Sequence, residues 1–268
     1  MASPPLAPAK VHYPSSDGKP MAESDFQRTP LTYAVDRLRQ HFRSRRDVYV
    51  SGNLLLYYQE GNPRAVVAPD VFVVLGASSA DRSTYRLWEE PKGPDFVLEI
   101  TSRTTYREDQ GRKRELYRSL GVQEYWQYDP TGDYLEPRLQ GLELSAGEYR
   151  RLPGRELADG TLALASAVLG LELRLTERGL RFHDIETGMD LPNLAETDEA
   201  RERERQARER ERQARHAAEK RLAEEAAARE QEAAAREAAE ARVAELEALL
   251  RRERGSDTGH EGNRAAPR

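Results

Sequence analysis

Apolar and polar positions change their rhythm several times along the chain. Between Ser24 and Phe42 the apolar residues Leu31, Ala34, Val35, Leu38 and Phe42 recur at helical spacing and mark one face. Arg39, Arg43, Arg45 and Arg46 crowd the end of that helix. Short apolar runs rich in Val, Leu and aromatic residues follow, at Val48–Val50, Leu54–Tyr58, Val71–Leu75 and Phe96–Thr101. Gly61-Asn62-Pro63, the stretch from Gly76 to Ser79 and that from Pro91 to Pro94 interrupt them, so they predict separate strands. After Thr101 the helical period returns. Thr105-Tyr106-Arg107-Glu108 fits a capping box, Leu116, Tyr117 and Leu120 supply the stripe, and Gly121 is a helix stop. Glu124–Tyr128 is the next strand, closed by Asp129-Pro130. Strand, helix of about fifteen residues and strand form a βαβ unit, which predicts two parallel strands joined by a right-handed crossover. Weaker strands are expected at Leu142–Leu144, Tyr149–Leu152, Leu171–Leu175 and Leu180–His183.

From about Thr197 to Arg254 the chain is almost wholly Ala, Glu and Arg, without a breaker. One continuous helix there would be roughly 87 Å long at ~1.5 Å per residue. Glu204→Arg208, Glu211→Arg215, Glu225→Arg229 and Glu232→Arg236 are ordered for i,i+4 pairing. Two short motifs repeat with a heptad period, but the seam holding Leu222, Val243, Leu246 and Leu250 also carries Arg229 and Arg236. A weak self-associating coiled coil and a solitary charged helix both fit that pattern.

Composition agrees with a core confined to the middle. The 268 residues are 38% hydrophobic and 33% charged, and the mean hydropathy is −0.84. The expected organisation is a flexible N-terminus over 1–20, an α/β domain over 21–192, the charged helix over 193–254 and a disordered tail over 255–268. With no cysteine, disulfides, thiolate metal sites and cysteine nucleophiles are excluded. The five histidines (His12, His41, His183, His216 and His260) are scattered, so a zinc site is not expected. The start has no signal-peptide apolar region and no segment is long enough to span a membrane, which makes a cytoplasmic protein the simplest expectation. The formal net charge of −5 still allows a locally basic nucleic-acid surface.

Chemistry concentrates between Asp70 and Lys113. In the strand around Phe96–Thr101, Phe96, Leu98 and Ile100 share one face, and Val97, Glu99 and Thr101 the other. Glu99 is thus an acid within an apolar strand, and burial requires it to be paired, hydrogen-bonded or metal-bound. Asp70 stands at the mouth of the strand Val71–Leu75. Two such acids, with the backbone carbonyl of Ile100 as a third oxygen, suit a hard cation such as Mg²⁺, which needs only one or two protein carboxylates. Lys113 shares its helix face with Leu116, Tyr117 and Leu120, so it is expected to point inward, towards a phosphate or an attacking water. Each has a plainer explanation, respectively a strand-entry turn, a solvent-reaching Glu and a snorkelling Lys; the case rests on all three occurring in order.

That order resembles the Uma-two restriction endonuclease family of the PD-(D/E)XK nuclease superfamily. The likeness is carried by Pro69-Asp70-Val71 and Glu99-Ile100-Thr101-Ser102, then by Asp109, Lys113 and Tyr117, and by Gly121-Val122-Gln123-Glu124-Tyr125-Trp126 through Asp129-Pro130. It extends over about residues 11 to 190 and includes Tyr13-Pro14 and Met21-Ala22-Glu23. The resemblance implies a restriction-endonuclease-like mixed sheet core with flanking helices. It also implies attack of water on a DNA phosphodiester assisted by Mg²⁺, or by Mn²⁺ in its place, with Asp70 and Glu99 as metal ligands. The superfamily's lysine two residues after the Glu is replaced here by Thr101, and Lys113 stands in its stead; Glu23 is a further acid. Arg103, Arg107, Arg112, Arg114 and Arg118 are expected to supply charge for phosphates. A homodimer would suit double-strand cleavage, and the helical tail is a candidate coiled-coil partner surface. Two alternatives stay open: a nuclease fold that binds DNA or protein without cutting, and a structural adaptor built around the tail.

Overall fold

The computed structural model describes residues 11–16 and 24–257. Glu23, most of the N-terminal stretch expected to be flexible and residues 258–268 of the expected tail lie outside the described residues. The chain divides into two compact units, residues 1–197 and 198–268.

In the first unit, α1 (Asp25–His41) leads into β1 (Val48–Ser51), β2 (Leu56–Tyr57), β3 (Val66–Val67), β4 (Val71–Leu75), β5 (Tyr85–Arg86) and β6 (Phe96–Ile100). A helical crossover made of α2 (Tyr106–Glu108), a π-turn (Asp109–Lys113) and α3 (Arg114–Ser119) then leads to β7 (Glu124–Tyr128). After it come β8 (Leu139–Ser145), β9 (Glu148–Arg151), β10 (Gly154–Glu156), β11 (Leu162–Ser166), β12 (Leu171–Thr176), β13 (Gly179–Asp184) and β14 (Met189–Asp190). The main sheet has the order β1-β4-β6-β7-β8-β9, and two smaller sheets are β10-β11-β12-β13-β14 and β3-β2-β5. The fold is mixed α/β. Within the main sheet β6 and β7 run parallel, as the βαβ pattern requires, and every other neighbouring pair is antiparallel.

Both faces of this sheet are covered, which is why its central strands are nearly continuous apolar runs. Phe96, Leu98, Ile100 and Trp126 pack with Ala34 and Leu38 of α1 and with Leu171, Leu173 and Phe182 of the second sheet. Phe72, Val74, Val97 and Tyr125 pack with Tyr117 of the crossover in a second cluster. Leu31 and Val35 of the expected α1 stripe are half-buried at the edge of the first cluster. β2 falls within the expected strand Leu54–Tyr58, whereas its partners β3 and β5 escaped the apolar pattern because each is only two residues long. Residues 13 and 14 are held against this sheet: the Tyr57 hydroxyl donates to the Pro14 carbonyl at 2.7 Å, and the Tyr13 ring meets those of Tyr57 and Trp88.

Glu124 explains part of the Gly121–Trp126 motif. It is a buried carboxylate that accepts hydrogen bonds from Trp126 Nε1, Ser166 Oγ and the Val168 amide, and so ties β7 to the turn between β11 and β12. Gly121, at φ 76°, ends the crossover as expected, with the Val122 amide bonding back to the Tyr117 carbonyl.

The described residues of the second unit belong to α4 (Leu194–Asp257). Leu222, Val243, Leu246, Leu249 and Leu250 are exposed along it. Glu204 and Arg208 form the expected pair at 2.6 Å, whereas Arg215 and Arg236 each turn forward, to Glu219 and Glu240, at 3.1 Å. Arg215 and Arg236 each have a glutamate four residues away on both sides, so pair choice adds little to helix stability. No described helix is long and apolar enough to cross a membrane.

Gly52 sets the position of the β4 entry. A Cβ there would lie 2.4 Å from the Asp70 carbonyl oxygen and 2.7 Å from Val35 Cγ2. Gly52→Ala is expected to destabilise the chain by roughly 1–3 kcal/mol through this overpacking. A thermal melt of the variant checks this; an unchanged midpoint would show that the β1–β4 corner is not tightly fixed.

Candidate active site

The register of β4 against β6 pairs Val71 with Leu98 and Phe72 with Val97. One step further along the same ladder places Asp70 opposite Glu99. A direct bond fixes this approach, because Asp70 Oδ2 accepts the Ile100 amide at 2.7 Å. On the other side of Glu99, the β6–β7 register places buried Gln127.

Glu99 is fully buried. Its Oε1 accepts the Tyr117 hydroxyl at 2.6 Å, and its Oε2 accepts Lys113 Nζ at 2.9 Å. Lys113 thus points inward, as its helix face requires. A third acid meets it there: Asp109, only 1% exposed, has Oδ1 3.0 Å from Lys113 Nζ. This is an ion-pair distance without hydrogen-bond geometry, and both Asp109 oxygens lack a hydrogen-bonding partner among the described residues.

The crossover helix explains how these side chains gather around Glu99. Asp109, Lys113 and Tyr117 recur every four residues. The first two bracket the π-turn, whose wider winding holds that spacing on one face before α3 begins. The expected capping box does not form. Thr105 has helical backbone angles, and its hydroxyl instead accepts the Ser102 amide, fastening the loop that leaves β6. Asp109 has the same four-residue spacing from Lys113 that Tyr117 has, and extending the inward stripe by one turn would have found it. The π-turn has no such sequence signal beyond Gly111, a weak helix former.

The electrostatics follow from burial and crowding. Asp70 as a residue is partly exposed, but its carboxyl group is closely surrounded. That burial, reinforced by the Glu99 charge, pushes it well above the usual carboxylate range against the opposing pull of Lys113 and the Ile100 amide. Burial and Glu99 likewise push Asp109 up to about 6. For Lys113 burial works against the charged form, but Glu99, Asp109 and Asp70 together outweigh it, so its pKa is raised and it stays a cation. Tyr117 is pushed well up by burial and Glu99, so it remains a donor.

Thr101, in the position where the superfamily carries its lysine, is buried, and its Oγ1 has no hydrogen-bonding partner among the described residues. Of the arginines expected to meet phosphates, Arg118 is committed to Glu115 and to the Gly147 carbonyl. Arg103 and Arg107, both exposed, have no acidic partner among the described residues.

The donor set can be tested against a cation. No group of three His, Cys, Asp or Glu side chains among the described residues is spaced to hold a metal ion by itself. Asp70 and Glu99 are nevertheless hard oxygen donors on adjacent strands. The Ile100 carbonyl lies beside them, within 3.5 Å of Gln27 Nε2. Asp70 Oδ1 accepts no hydrogen bond among the described residues. Two carboxylates and a carbonyl match the small protein ligand set with which Mg²⁺ is commonly held.

A mixed sheet with acids at the adjacent ends of two central strands, and a lysine on the crossover behind them, is the arrangement that the restriction-endonuclease-like resemblance implies. The family described as Uma2, putative restriction endonuclease, matches residues 5–176, and the chain belongs to it. Among solved structures, one described as a putative nuclease from Anabaena variabilis is similar, with 14% identity over 58% of this chain and 81% of that chain and a TM-score of 0.40. No curated protein matches.

The raised Asp109 pKa has a signed consequence for stability. The folded chain keeps this proton up to about pH 6, whereas an unperturbed Asp releases it near 3.8. Between those values the folded state binds the extra proton, so the Asp109 contribution falls as pH rises through the window and stays unfavourable above it. Asp109→Asn is therefore expected to be more stable than wild type at pH 8, on the order of 1–3 kcal/mol. That advantage should shrink as pH falls towards 4. Denaturant titrations of both proteins at several pH values check this, and a variant less stable at pH 8 would contradict it.

Proposed function

We propose that the chain is an endonuclease that hydrolyses DNA phosphodiester bonds with a divalent cation, Mg²⁺ or Mn²⁺ in its place. The work is assigned to the domain at residues 21–192. The observation that carries this reading is the opposition of Asp70 and Glu99 across the β4–β6 ladder, with Lys113 bound to Glu99. Asp70, Glu99 and the Ile100 carbonyl would hold the ion. A cation so bound polarises the phosphate and makes a water acidic enough to attack at neutral pH.

The remaining roles belong to the chain's own groups. Asp70 is oriented by the Ile100 amide and Glu99 by Tyr117, so neither carboxylate has to be ordered when substrate arrives. Lys113 is a permanent cation beside the acids and offsets negative charge as it builds on the phosphate. Asp109 acts as a positioning residue that keeps Lys113 at the Glu99 end of its reach. Membership of a family described as restriction endonuclease supports DNA as the substrate.

A second reading, a nuclease fold that binds DNA or protein without cutting, draws on a specific observation. Both Glu99 oxygens are already hydrogen-bonded, and Thr101 stands in the position of the usual lysine.

Nicking of supercoiled plasmid in Mg²⁺ or Mn²⁺ separates the two. Wild-type protein is expected to nick, and EDTA, Asp70→Ala and Glu99→Ala to abolish it. Lys113→Ala should lower the rate on the order of 10²–10³-fold, the scale of losing one preorganised charge-stabilising donor. Loss with both acids but full activity in Lys113→Ala would keep the nuclease and remove the lysine from it. No cleavage by folded wild-type protein on DNA would favour the binding module.

A further inference from the structure

Beside the acids, the chain builds an aromatic column that the hydrolytic roles leave unused. Tyr106, on the turn before Asp109, stacks on Tyr134, with centroids 5.1 Å apart and planes 24° from parallel. Both residues are partly buried. The Arg107 guanidinium stands 5.5 Å from the Tyr106 centroid, and Arg107 Nε donates to the Tyr106 hydroxyl at 2.9 Å. Arg107 thus holds the Tyr106 ring by its hydroxyl, and Tyr106 backs Tyr134. The Tyr134 ring has no further aromatic or cationic contact among the described residues.

Tyr134 sits in a loop tied down by hydrogen bonds. Asp129, fully buried at the end of β7, accepts from the amides of Thr131, Gly132, Tyr134 and Leu135 and from the Thr131 hydroxyl. These bonds, the backbone ones foremost, outweigh the burial that would raise its pKa, and they keep Asp129 below the usual range and ionised. Gln110 Nε2 donates to the Tyr134 carbonyl at 3.3 Å, joining the loop to the π-turn one residue from Asp109. Loop and crossover are thus fastened together at the carboxyl ends of β6 and β7, next to the Lys113 cluster. An aromatic pair that only needed to plug a gap would be fully buried; this one is only partly so.

We propose that Tyr134, backed by Tyr106 and Arg107, is a stacking platform for an unpaired nucleobase of the DNA strand bound at the acidic site. A flat π-face stacks on any base, and each such contact is worth roughly 1–3 kcal/mol when tested by truncation. Bases within a paired duplex are already covered on both faces, so the platform selects strands with a looped-out, frayed or single-stranded nucleotide. The exposed Arg103 and Arg107, without acidic partners among the described residues, supply the adjoining charge for backbone phosphates. The proposal rests on the reading of this site as one for DNA, and it adds which form of DNA is taken.

The test uses full-length protein in EDTA and a duplex carrying 2-aminopurine at one unpaired position. Wild type should quench the probe and bind it about tenfold more tightly than the fully paired duplex, the scale of one stacking contact. Tyr134→Phe should keep both effects, and Tyr134→Leu should lose both. Should Tyr134→Leu fail to fold, 5-iodouracil at the same position in complex with wild type should photo-cross-link to Tyr134. Equal affinity of wild type for paired and unpaired duplexes, an undiminished quench in folded Tyr134→Leu, or cross-links only at other residues would overturn the proposal. Plasmid nicking reads the nuclease assignment separately: stacking without cleavage removes that assignment alone, and cleavage without stacking removes the platform alone.

Discussion

A carboxylate with no solvent exposure in the middle of a sheet is the constraint around which this domain is arranged. Leaving such a charge uncompensated costs several kcal/mol, a large share of a domain's whole stability. Glu99 is compensated from the crossover helix by Lys113 and Tyr117, which fixes the helix rotation against the sheet. Lys113 in turn draws Asp109 into the interior, and the π-turn between those two residues lets an acid, a lysine and a tyrosine share one face. Asp70 completes the cluster from the neighbouring strand. An apolar residue at Glu99 would pack more cheaply, so this charge cluster is not a source of stability.

The same cluster shows how far the residues alone speak. Strict alternation in Phe96–Ile100 revealed that Glu99 faced away from Leu98 and Ile100, and helical spacing placed Lys113 on the inner face of the crossover. The parallel pairing of β6 with β7 followed from strand, helix and strand in sequence. Those signals are local and periodic, which is what a chain displays directly. Asp109 belongs to the family pattern, yet its place in the cluster depends on which way the preceding turn winds. The Tyr106–Tyr134 stack joins residues 28 positions apart across a loop whose shape comes from a single buried aspartate, and no periodicity announces it. The short strands β3 and β5 are hidden for a related reason: two residues carry no alternation, and their pairing is decided by tertiary contacts.

Family membership and geometry meet on the β4–β6 ladder. The Uma2 match spans residues 5–176, and the acids, lysine and crossover all fall inside it. The rest of the main sheet serves them indirectly. Gly52 sets the height of the Asp70 backbone, Glu124 anchors β7 to the second sheet, and Asp129 shapes the loop that leaves β7 beside the cluster. The charged helix α4 belongs to a different economy, with solvated ion pairs along its length and no core of its own.

The central claim is that Asp70 and Glu99 together hold a divalent cation. Its most direct measurement is equilibrium binding of Mn²⁺ to the full-length protein without nucleic acid, followed by electron paramagnetic resonance of the free ion. Wild type is expected to take up the ion at a single saturable site, and Asp70→Asn and Glu99→Gln, each still folded, to lose that site. Uptake by wild type no greater than by the two variants would contradict the claim.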